Sequence, residues 1–189
     1  NLGNIENARG LKVLGLLGLN LFRQCEMIID FEKSLIYLHR IGKKEASVYK
    51  HPMLNDTSQY REFPIEFSNN RMITTTEVAG KKLKLVIDCA SESNIIDSRL
   101  PDKNLELITI TRRVKLTGRG ERKVDALYGS LAKMNLGTQP IENLPVIIIN
   151  LEYTCFSDDS CINGVLGFDF LSQHKIGFNF VKRKMYIWK

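Results

Sequence analysis

The chain has 189 residues, of which 43% are hydrophobic and 25% charged, a composition typical of a soluble globular protein with one or two domains. Its longest apolar stretches, at 11–21 and 144–151, are shorter than the roughly 20 residues of a membrane-spanning helix, so we expect no membrane span. The net charge of +6 invites a nucleic-acid interpretation. However, the basic cluster at 112–123 is interleaved with apolar residues like a solvated strand face and lies in no known binding module, so we expect no nucleic-acid partner.

The first 62 residues divide into three parts. Residues 11–22 predict a short strand or turn that leads into a helix, with Gly15 and Gly18 as flexible points. Residues 25–31 and 35–41 predict a β-hairpin with its turn at 32–34. Residues 42–62 are polar and lack a clear period, which is typical of a linker.

From Phe63 onward the pattern is that of short strands separated by turn residues. The predicted strands are 63–67, 72–78, 83–87, 94–96, 105–116, 123–136 and 144–151. A single short helix is predicted at 168–173, directly after a glycine motif. Many short strands at this spacing favour an all-β barrel or sandwich.

A glycine-centred segment occurs twice, 149 positions apart (164 − 15). The identical pairs are Gly15/Gly164, Leu17/Leu166, Gly18/Gly167, Gln24/Gln173, Phe31/Phe180, Lys33/Lys182 and Tyr37/Tyr186. A repeat at this spacing indicates a duplicated domain rather than a solenoid, whose periods are far shorter. We therefore interpret 1–41 as the C-terminal remnant (helix plus β-hairpin) of a first domain, 42–62 as a linker and 63–189 as a complete second domain.

The remnant is rich in apolar residues that must be covered by something, either the second domain or another chain. These residues are Leu11, Val13, Leu16, Leu17, Leu19 and Phe22. The N-terminus has no basic region followed by a hydrophobic run, so we do not expect a signal peptide there.

Three features follow one another in the second domain. An apolar strand, Leu85-Val86-Ile87, ends in Asp88 and is followed by Cys89-Ala90-Ser91 and a second apolar pair. Gly118-Arg119-Gly120 lies about thirty residues later between two predicted strands. Val165-Leu166-Gly167 precedes the predicted helix.

In this order the three features resemble a retropepsin-type (pepsin-superfamily) aspartic protease domain, in particular the bacterial proteins with paired domains of this kind. The resemblance covers roughly 64–189 and implies an all-β, acid-protease-like closed barrel with one short helix. It implies Asp88 as the catalytic residue in an active loop with Cys89, Ala90 and Ser91. It further implies a flap at Gly118, Arg119 and Gly120, and a loop at Val165, Leu166 and Gly167 that crosses beneath the active loop.

The resemblance also implies an aspartic-type endopeptidase with a peptide or protein substrate bound as an added strand. Two carboxylates held close together share one proton, because like charges at that distance cannot both ionise. Each domain supplies one aspartate, and the counterpart of Asp88 in the first domain would lie before residue 1. The second aspartate would therefore come from a homodimer or from the missing first domain. No cofactor is expected.

The active loop departs from the family pattern at two positions. Cys89 replaces a threonine or serine whose hydroxyl braces the two active loops, and a thiol is only a weak donor. Ala90 replaces a glycine, and an alanine forced into a left-handed conformation costs about 1–2 kcal/mol. A loop that relaxes instead would not hold the carboxylate to the tolerance that the chemistry requires. The alternative is thus a non-catalytic peptide-binding or protein-interaction module, a pseudoprotease that retains the cleft.

Other acidic residues and cysteines have simpler interpretations. We expect Asp97 to cap a turn, and Asp30 and its counterpart Asn179 to satisfy backbone groups of the hairpins. Cys155 and Cys161 bracket a polar loop and could close a small disulfide in an oxidising compartment, such as the periplasm or the cell exterior, or remain free thiols. They lack two further ligands at a usable spacing, so no metal site is expected.

Overall fold

The computed structural model describes residues 10, 12–117, 123–152 and 161–189, and these form two β-sheets with short helices. The strands are β1 (Cys25–Asp30), β2 (Leu35–Arg40), β3 (Tyr60–Pro64), β4 (Glu66–Ser68), β5 (Arg71–Val78), β6 (Lys81–Ile87), β7 (Ile95–Asp97), β8 (Ile108–Thr117), β9 (Lys123–Leu136), β10 (Gln139–Ile149), β11 (Gly164–Leu166), β12 (Ile176–Asn179) and β13 (Lys184–Trp188). The helices are α1 (Asp102–Leu105), α2 (Phe168–Leu171) and the 3-10 helices Leu19–Phe22 and Pro52–Leu54. Within this part of the chain, no helix has the length and apolarity that crossing a membrane requires.

The mostly-β prediction is confirmed, although a second short helix, α1, accompanies the predicted one at α2. The expected strand at 105–116 begins only at Ile108 because α1 occupies its first residue. Asn104 in α1 is buried and donates to the backbone oxygen of Val78 at 2.6 Å. A contact with a residue so distant in sequence has no local sequence pattern that would predict it.

The larger sheet has the strand order β4-β5-β6-β11-β7-β10-β9-β8. An additional antiparallel pairing joins β5 to β9 through Thr76–Leu136 and Glu77–Asn135. Because β5 and β9 are not neighbours in the strand order, this pairing closes the strands between them into a ring. Alternation along β6 directs Leu83 and Leu85 into the core of the ring and Lys84 to solvent.

The smaller sheet has the order β2-β1-β12-β13-β3, so the N-terminal hairpin β1–β2 lies beside the C-terminal hairpin β12–β13. All four pairings are antiparallel. Strand β3 begins at Tyr60, so the last three residues of the predicted linker belong to this sheet. The sheet therefore joins elements of both copies of the repeat.

The register between the two hairpins follows the sequence repeat. Ile28 pairs with Gly177, which is also its counterpart 149 positions later (177 − 28). Glu26, two residues before Ile28, pairs with Asn179, two residues after Gly177. In an antiparallel pair, this relation means that a local two-fold axis passes through the Ile28–Gly177 pair. The two hairpins are therefore arranged as images of one another.

Two buried acidic residues, Glu26 and Asp30, make polar contacts across this pairing, one on either side of the axis. Asn179 donates from Nδ2 to Oε2 of Glu26 at 2.7 Å, and Lys175 Nζ lies 2.9 Å from Oδ2 of Asp30. Under the repeat, Asp30 corresponds to Asn179 and Glu26 to Lys175, so each contact is the image of the other. The core of the hairpin sheet is thus crossed by polar pairs that fix its register.

Asp30 and Asn179 also perform the same local task in the two hairpins. The backbone N–H of Lys33 donates to Oδ1 of Asp30 at 3.1 Å, and that of Lys182 donates to Oδ1 of Asn179 at 2.7 Å. Their predicted role of satisfying hairpin backbone groups is confirmed. Asparagine and aspartate both accept such a bond, so the charge of Asp30 is not required for its turn.

The charge of Asp30 should instead make folding sensitive to acid. The hydrogen bond from Lys175 holds the pKa of Asp30 below its ordinary value, against the opposing effect of burial and with help from the Lys33 N–H. A carboxyl group whose pKa is lowered by folding stabilises the folded state at any pH above its pKa in the unfolded chain, which is about 3.9. This stabilisation is lost as the pH falls through the lower pKa of the folded state. We expect Asp30→Asn to lower the melting temperature at neutral pH, with a deficit that shrinks below about pH 4.

Thermal unfolding followed by circular dichroism between pH 2 and 7 measures this difference. The mirror-image variant Asn179→Asp, which places a second carboxylate beside Glu26, should show the opposite trend and gain stability as the pH falls. A deficit of Asp30→Asn that is constant across this range would contradict the prediction.

Candidate active site

Asp88 lies in the turn that directly follows β6 and is exposed to solvent. Its Oδ1 accepts the backbone N–H of Ala90 at 2.9 Å, and its carbonyl oxygen accepts the N–H of Ser91 at 3.2 Å. The strand is anchored in the core by Leu85 and Ile87, so the carboxylate emerges at the rim of the barrel. The Asp88 carboxylate is therefore exposed to solvent but held in place by the turn at the end of the core strand β6.

Strand β11 crosses beneath this turn. It lies between β6 and β7, parallel to β6 through the Leu166–Ile87 pair and antiparallel to β7 through Val165–Ile95. The backbone N–H of Asp88 donates to the carbonyl oxygen of Leu166 at 3.1 Å. The structure thus brings the predicted catalytic position and Val165–Gly167 together.

The two glycines of this segment are required by close backbone approach. A Cβ atom at Gly164 would lie 2.2 Å from the carbonyl oxygen of Ile95, and one at Gly167 would lie 2.4 Å from that of Ser93. Neither glycine has a positive φ, so space rather than backbone conformation excludes other residues. This explains the second copy of the glycine motif.

Asn94 is a structural support that the sequence analysis placed in a strand without assigning it a role. Its side chain is buried, with Oδ1 accepting the N–H of Gly167 at 2.9 Å and Nδ2 donating to the carbonyl oxygen of Pro145 at 3.0 Å. It therefore connects the active loop to the crossing segment and to β10. The sequence feature that could have predicted this role is the position of Asn94 directly before the apolar pair Ile95–Ile96, because a buried amide there must find hydrogen-bond partners.

Helix α2 begins on the active loop. The N–H of Phe168 donates to the carbonyl oxygen of Ser91 at 2.7 Å, and that of Asp169 donates to Glu92 at 3.0 Å. The Ser91 hydroxyl donates to the carbonyl oxygen of Ser93 at 2.9 Å. The loop is thus held from below by the helix start and internally by its own serine.

The strain expected at Ala90 is absent. Ala90 is not among the described non-glycine residues with a positive φ, so of the two expected outcomes, a left-handed alanine or a relaxed loop, the structure has the relaxed loop. The loop accommodates the Cβ by taking an ordinary backbone conformation while still donating its N–H to Asp88. The alanine is therefore accommodated without the cost of a left-handed conformation.

Cys89 is a free, exposed cysteine next to Asp88. Partial desolvation raises the pKa of its thiol above the ordinary value, and the negative charge of Asp88 raises it further. The thiol is therefore protonated at neutral pH and poorly suited to nucleophilic attack. Cys89 thus differs chemically from the hydroxyl residue expected at this position.

Asp97 has a structural role. Despite the opposing effect of burial, hydrogen bonds from Arg99 and from the backbone N–H groups of Arg99 and Leu151 hold the pKa of Asp97 below its ordinary value. Its Oδ2 lies 2.7 Å from the Arg99 guanidinium, and its Oδ1 accepts the N–H of Arg99 at 3.1 Å. It caps the turn after β7, as predicted from the sequence.

Two predicted features fall partly or wholly outside the described residues. Strands β8 and β9 pair as far as Thr117–Lys123, while the predicted flap residues Gly118, Arg119 and Gly120 lie outside the described ranges. Cys161 is disulfide-bonded, whereas its predicted partner Cys155 lies in the undescribed stretch 153–160. Cys25 and Cys89 are free.

Two observations on the described part of the chain bear on the surroundings of Asp88. Within the described ranges, no group of three or more His, Cys, Asp or Glu side chains is arranged to hold a metal ion. A pocket of about 840 Å³ lies at the ends of β1 and β2, away from the active loop. Its lining includes Arg23, Arg40, Lys43 and Arg183, together with Phe67 and Phe180, and contains no residue of the Asp88 turn.

One comparison with known proteins identifies a family for this chain. A family model described as Aspartyl protease matches residues 74–170, just over half of the chain, from β5 to α2. Among solved structures, a retropepsin-like aspartic protease from Rickettsia conorii is similar, at 19% sequence identity and a TM-score of 0.44, over 68% of this chain and 91% of that one. The comparison with curated proteins returns no match.

The contacts of Asn94 predict a large effect on stability. Asn94→Ala leaves the N–H of Gly167 and the carbonyl oxygen of Pro145 without their partner in the interior. Each buried group left unsatisfied costs about 1–3 kcal/mol, so for the two groups we expect the free energy of unfolding to fall by about 2–6 kcal/mol. Urea titration measures the change, and Asn55→Ala, at an exposed position, serves as the control. A loss as small as that of the control would contradict the proposed bracing role.

The charge of Asp88 should be detectable through its neighbour. The Asp88 charge is the second cause of the raised pKa of Cys89, after desolvation, so Asp88→Asn should lower that pKa in part. The rate of Cys89 alkylation by iodoacetamide should then rise at a lower pH in the variant than in the native protein. Cys89→Ser gives the background rate, because the other free thiol, Cys25, is buried. Identical pH profiles would show that the two side chains do not interact.

Proposed function

The chain belongs to the aspartyl protease family, and we propose that it forms one catalytic half of an aspartic endopeptidase, with Asp88 as one of the two carboxylates. Its fold is of the retropepsin type, a β-barrel with short helices. The observation that carries the proposal is the Asp88 turn, which follows a core strand and is tied by its N–H to Leu166 of the crossing segment. An isolated surface aspartate has no such support.

The chemistry requires a proton shared by two carboxylates. One carboxylate takes a proton from a bound water molecule while the oxygen of that water attacks the peptide carbonyl carbon. The other carboxylate donates its proton to the carbonyl oxygen, which gives a tetrahedral intermediate with two hydroxyl groups. As its C–N bond breaks, the first carboxyl gives the proton that it took from water to the nitrogen, and one hydroxyl of the intermediate returns a proton to the other carboxylate. The Ala90 N–H, which donates to Asp88 Oδ1, orients the Asp88 carboxylate for one of these roles.

We propose that the second carboxylate comes from a preceding domain rather than from a second copy of this chain. The edge of β12 that faces the local two-fold axis is occupied by β1 of the same chain. A second copy therefore cannot pair with that edge without displacing the N-terminal hairpin. The same hairpin is, by the sequence repeat, the end of a sister domain, which supports that domain as the source of the partner aspartate.

A peptide is the substrate class that this arrangement favours. The β8–β9 hairpin extends to Thr117 and Lys123 at one end of the larger sheet, in the position along the chain of the flap expected from the resemblance. A flap of this kind covers an extended peptide and contacts its backbone, which the substrate offers as an added strand. The sequence preference of such a site would be set by side chains of both domains.

The second candidate function is binding of peptides without cleavage. The observation that favours it is the identity of Cys89, whose thiol is protonated and a weak hydrogen-bond donor where a hydroxyl is expected. Without a brace between the two active loops, the two carboxylates would not be held close enough to share a proton. The fold and the substrate groove would nevertheless remain intact.

Cleavage of an unfolded protein substrate from acidic to neutral pH tests the enzyme directly. The polypeptide is expressed from its full reading frame, and Asp88→Asn should lower the rate by about 10²–10⁴-fold, because the variant cannot exchange the proton. Asp102→Asn, on the distant helix α1, should cleave at the native rate. Equal cleavage by Asp88→Asn would rule out the proposed role of Asp88.

The double variant Cys89→Thr/Ala90→Gly separates the two candidate functions. If the native protein binds but does not cleave the substrate, and the double variant cleaves it, the native protein is a binding module with a disabled loop. If the native protein already cleaves, the substitutions only tune an active enzyme.

A further inference from the structure

Four apolar side chains of the first repeat copy are exposed, although their counterparts in the second copy are fully buried. Leu17, Leu21, Ile36 and Leu38 are 76, 66, 65 and 54% exposed, and their counterparts Leu166, Phe170, Met185 and Ile187 are 1, 2, 0 and 2% exposed. The two copies have related sequences and the same order of helix and hairpin. The difference therefore lies in what covers them, since the second copy is covered by strands of its own barrel.

The glycines of the first copy show the same difference. A Cβ atom at Gly15 or Gly18 would meet nothing within 4 Å, whereas their counterparts Gly164 and Gly167 lie against backbone carbonyls. Gly18 has φ −76° and ψ 152°, a conformation open to any residue. Neither conformation nor described neighbours account for glycine at these two positions. A backbone that approaches them closely, as Ile95 and Ser93 approach the second copy, would account for both.

The edges of the strands supply a third difference. In the second copy, the outer edge of β13 pairs with β3 from Lys184–Pro64 to Trp188–Tyr60. In the first copy, β2 is the last strand of its sheet in the described structure, with its outer edge unpaired. Residues 15–17 likewise form no sheet pairing there, while β11 pairs on both sides. An exposed edge next to exposed leucines favours strand addition.

We propose that residues 12–40 are a docking element for a second domain of the retropepsin type that lacks its own crossing strand, helix and terminal hairpin. Residues 15–17 insert between two strands of that domain, as β11 inserts between β6 and β7. Strand β2 pairs antiparallel with a third strand of the domain, as β13 pairs with β3. Leu17, Leu21, Ile36 and Leu38 complete its core.

This inference deepens the proposed function, because the domain that docks here is the one that would present the second carboxylate. A second copy of this chain does not fit the element. In such a copy, the gap between β6 and β7 is filled by its own β11, and the outer edge of β13 by its own β3. The domain that docks here must therefore have an unfilled gap between its counterparts of β6 and β7, and a free edge on its counterpart of β3.

A fused chain provides the probe. Lys12 corresponds to Cys161 under the repeat. The fused chain therefore carries an additional copy of residues 60–160, joined directly to Lys12 of the original chain. This places the strands of the second domain before residues 12–40, in the same order in which they precede residues 161–189. Hydrogen–deuterium exchange is then compared between the fused and the 189-residue chains. We expect the amides at 15–17, and those of 35–40 that face the outer edge of β2, to exchange at least about tenfold more slowly in the fused chain, because they become paired. The amides of β2 that already pair with β1 should not change.

Gly18→Val is the matched variant. In the 189-residue chain it should leave the melting temperature and the exchange unchanged, because no atom lies within 4 Å of the added Cβ. In the fused chain it should abolish the protection at 15–17, as a carbonyl would oppose the side chain. Gly167→Val, whose Cβ would lie 2.4 Å from the carbonyl oxygen of Ser93, should destabilise both chains.

Protection that is absent from the fused chain, or that Gly18→Val does not affect, overturns the proposal. If the fused domain does not fold, the same exchange measurement and the same variant are applied to the polypeptide with whatever residues precede Asn1 in its reading frame, with the same two outcomes. A cleavage assay on the same samples separates the claims. Protection without cleavage supports docking and contradicts the proposed enzyme, whereas cleavage without protection contradicts docking alone.

Discussion

The architecture of the site depends on one steric constraint, the passage of the β11 backbone through the narrow gap between β6 and β7. At Gly164 and Gly167 the gap leaves no room for a Cβ atom, because carbonyl oxygens of Ile95 and Ser93 approach to 2.2 and 2.4 Å of its position. The strand in this gap accepts the N–H of Asp88, and the helix that follows it binds the active loop. The insertion of β11 between β6 and β7 thus both closes the barrel and positions the Asp88 carboxylate.

The repeat extends this constraint to the other side of the local two-fold axis. Buried contacts of Asp30 with Lys175 and of Glu26 with Asn179 fix the hairpins in register. Such polar pairs are costly to bury, and a shift in register would separate their members. The sheet therefore fixes the position of the hairpin β1–β2 relative to the hairpin β12–β13.

The active loop departs from the family pattern at Cys89 and Ala90, and the two departures have different consequences. Alanine in place of glycine predicts strain, yet Ala90 takes an ordinary backbone conformation and still donates to Asp88. The consequence of the cysteine persists, since its thiol lies beside a carboxylate that raises its pKa. The departure from the family pattern at this loop therefore lies in the chemistry of Cys89 rather than in backbone strain at Ala90.

Sequence patterns determined the parts of this protein that depend on neighbours along the chain. Alternating apolar residues predicted β5, β6 and β9 nearly to their ends, and a strand that ends in aspartate indicated the site. The tertiary structure alone decided the support by Asn94, the helix α1 and the axis through Ile28 and Gly177. These features arise from contacts between residues tens of positions apart. Each partner is present in the sequence, but no local sequence pattern predicts that the two will be in contact.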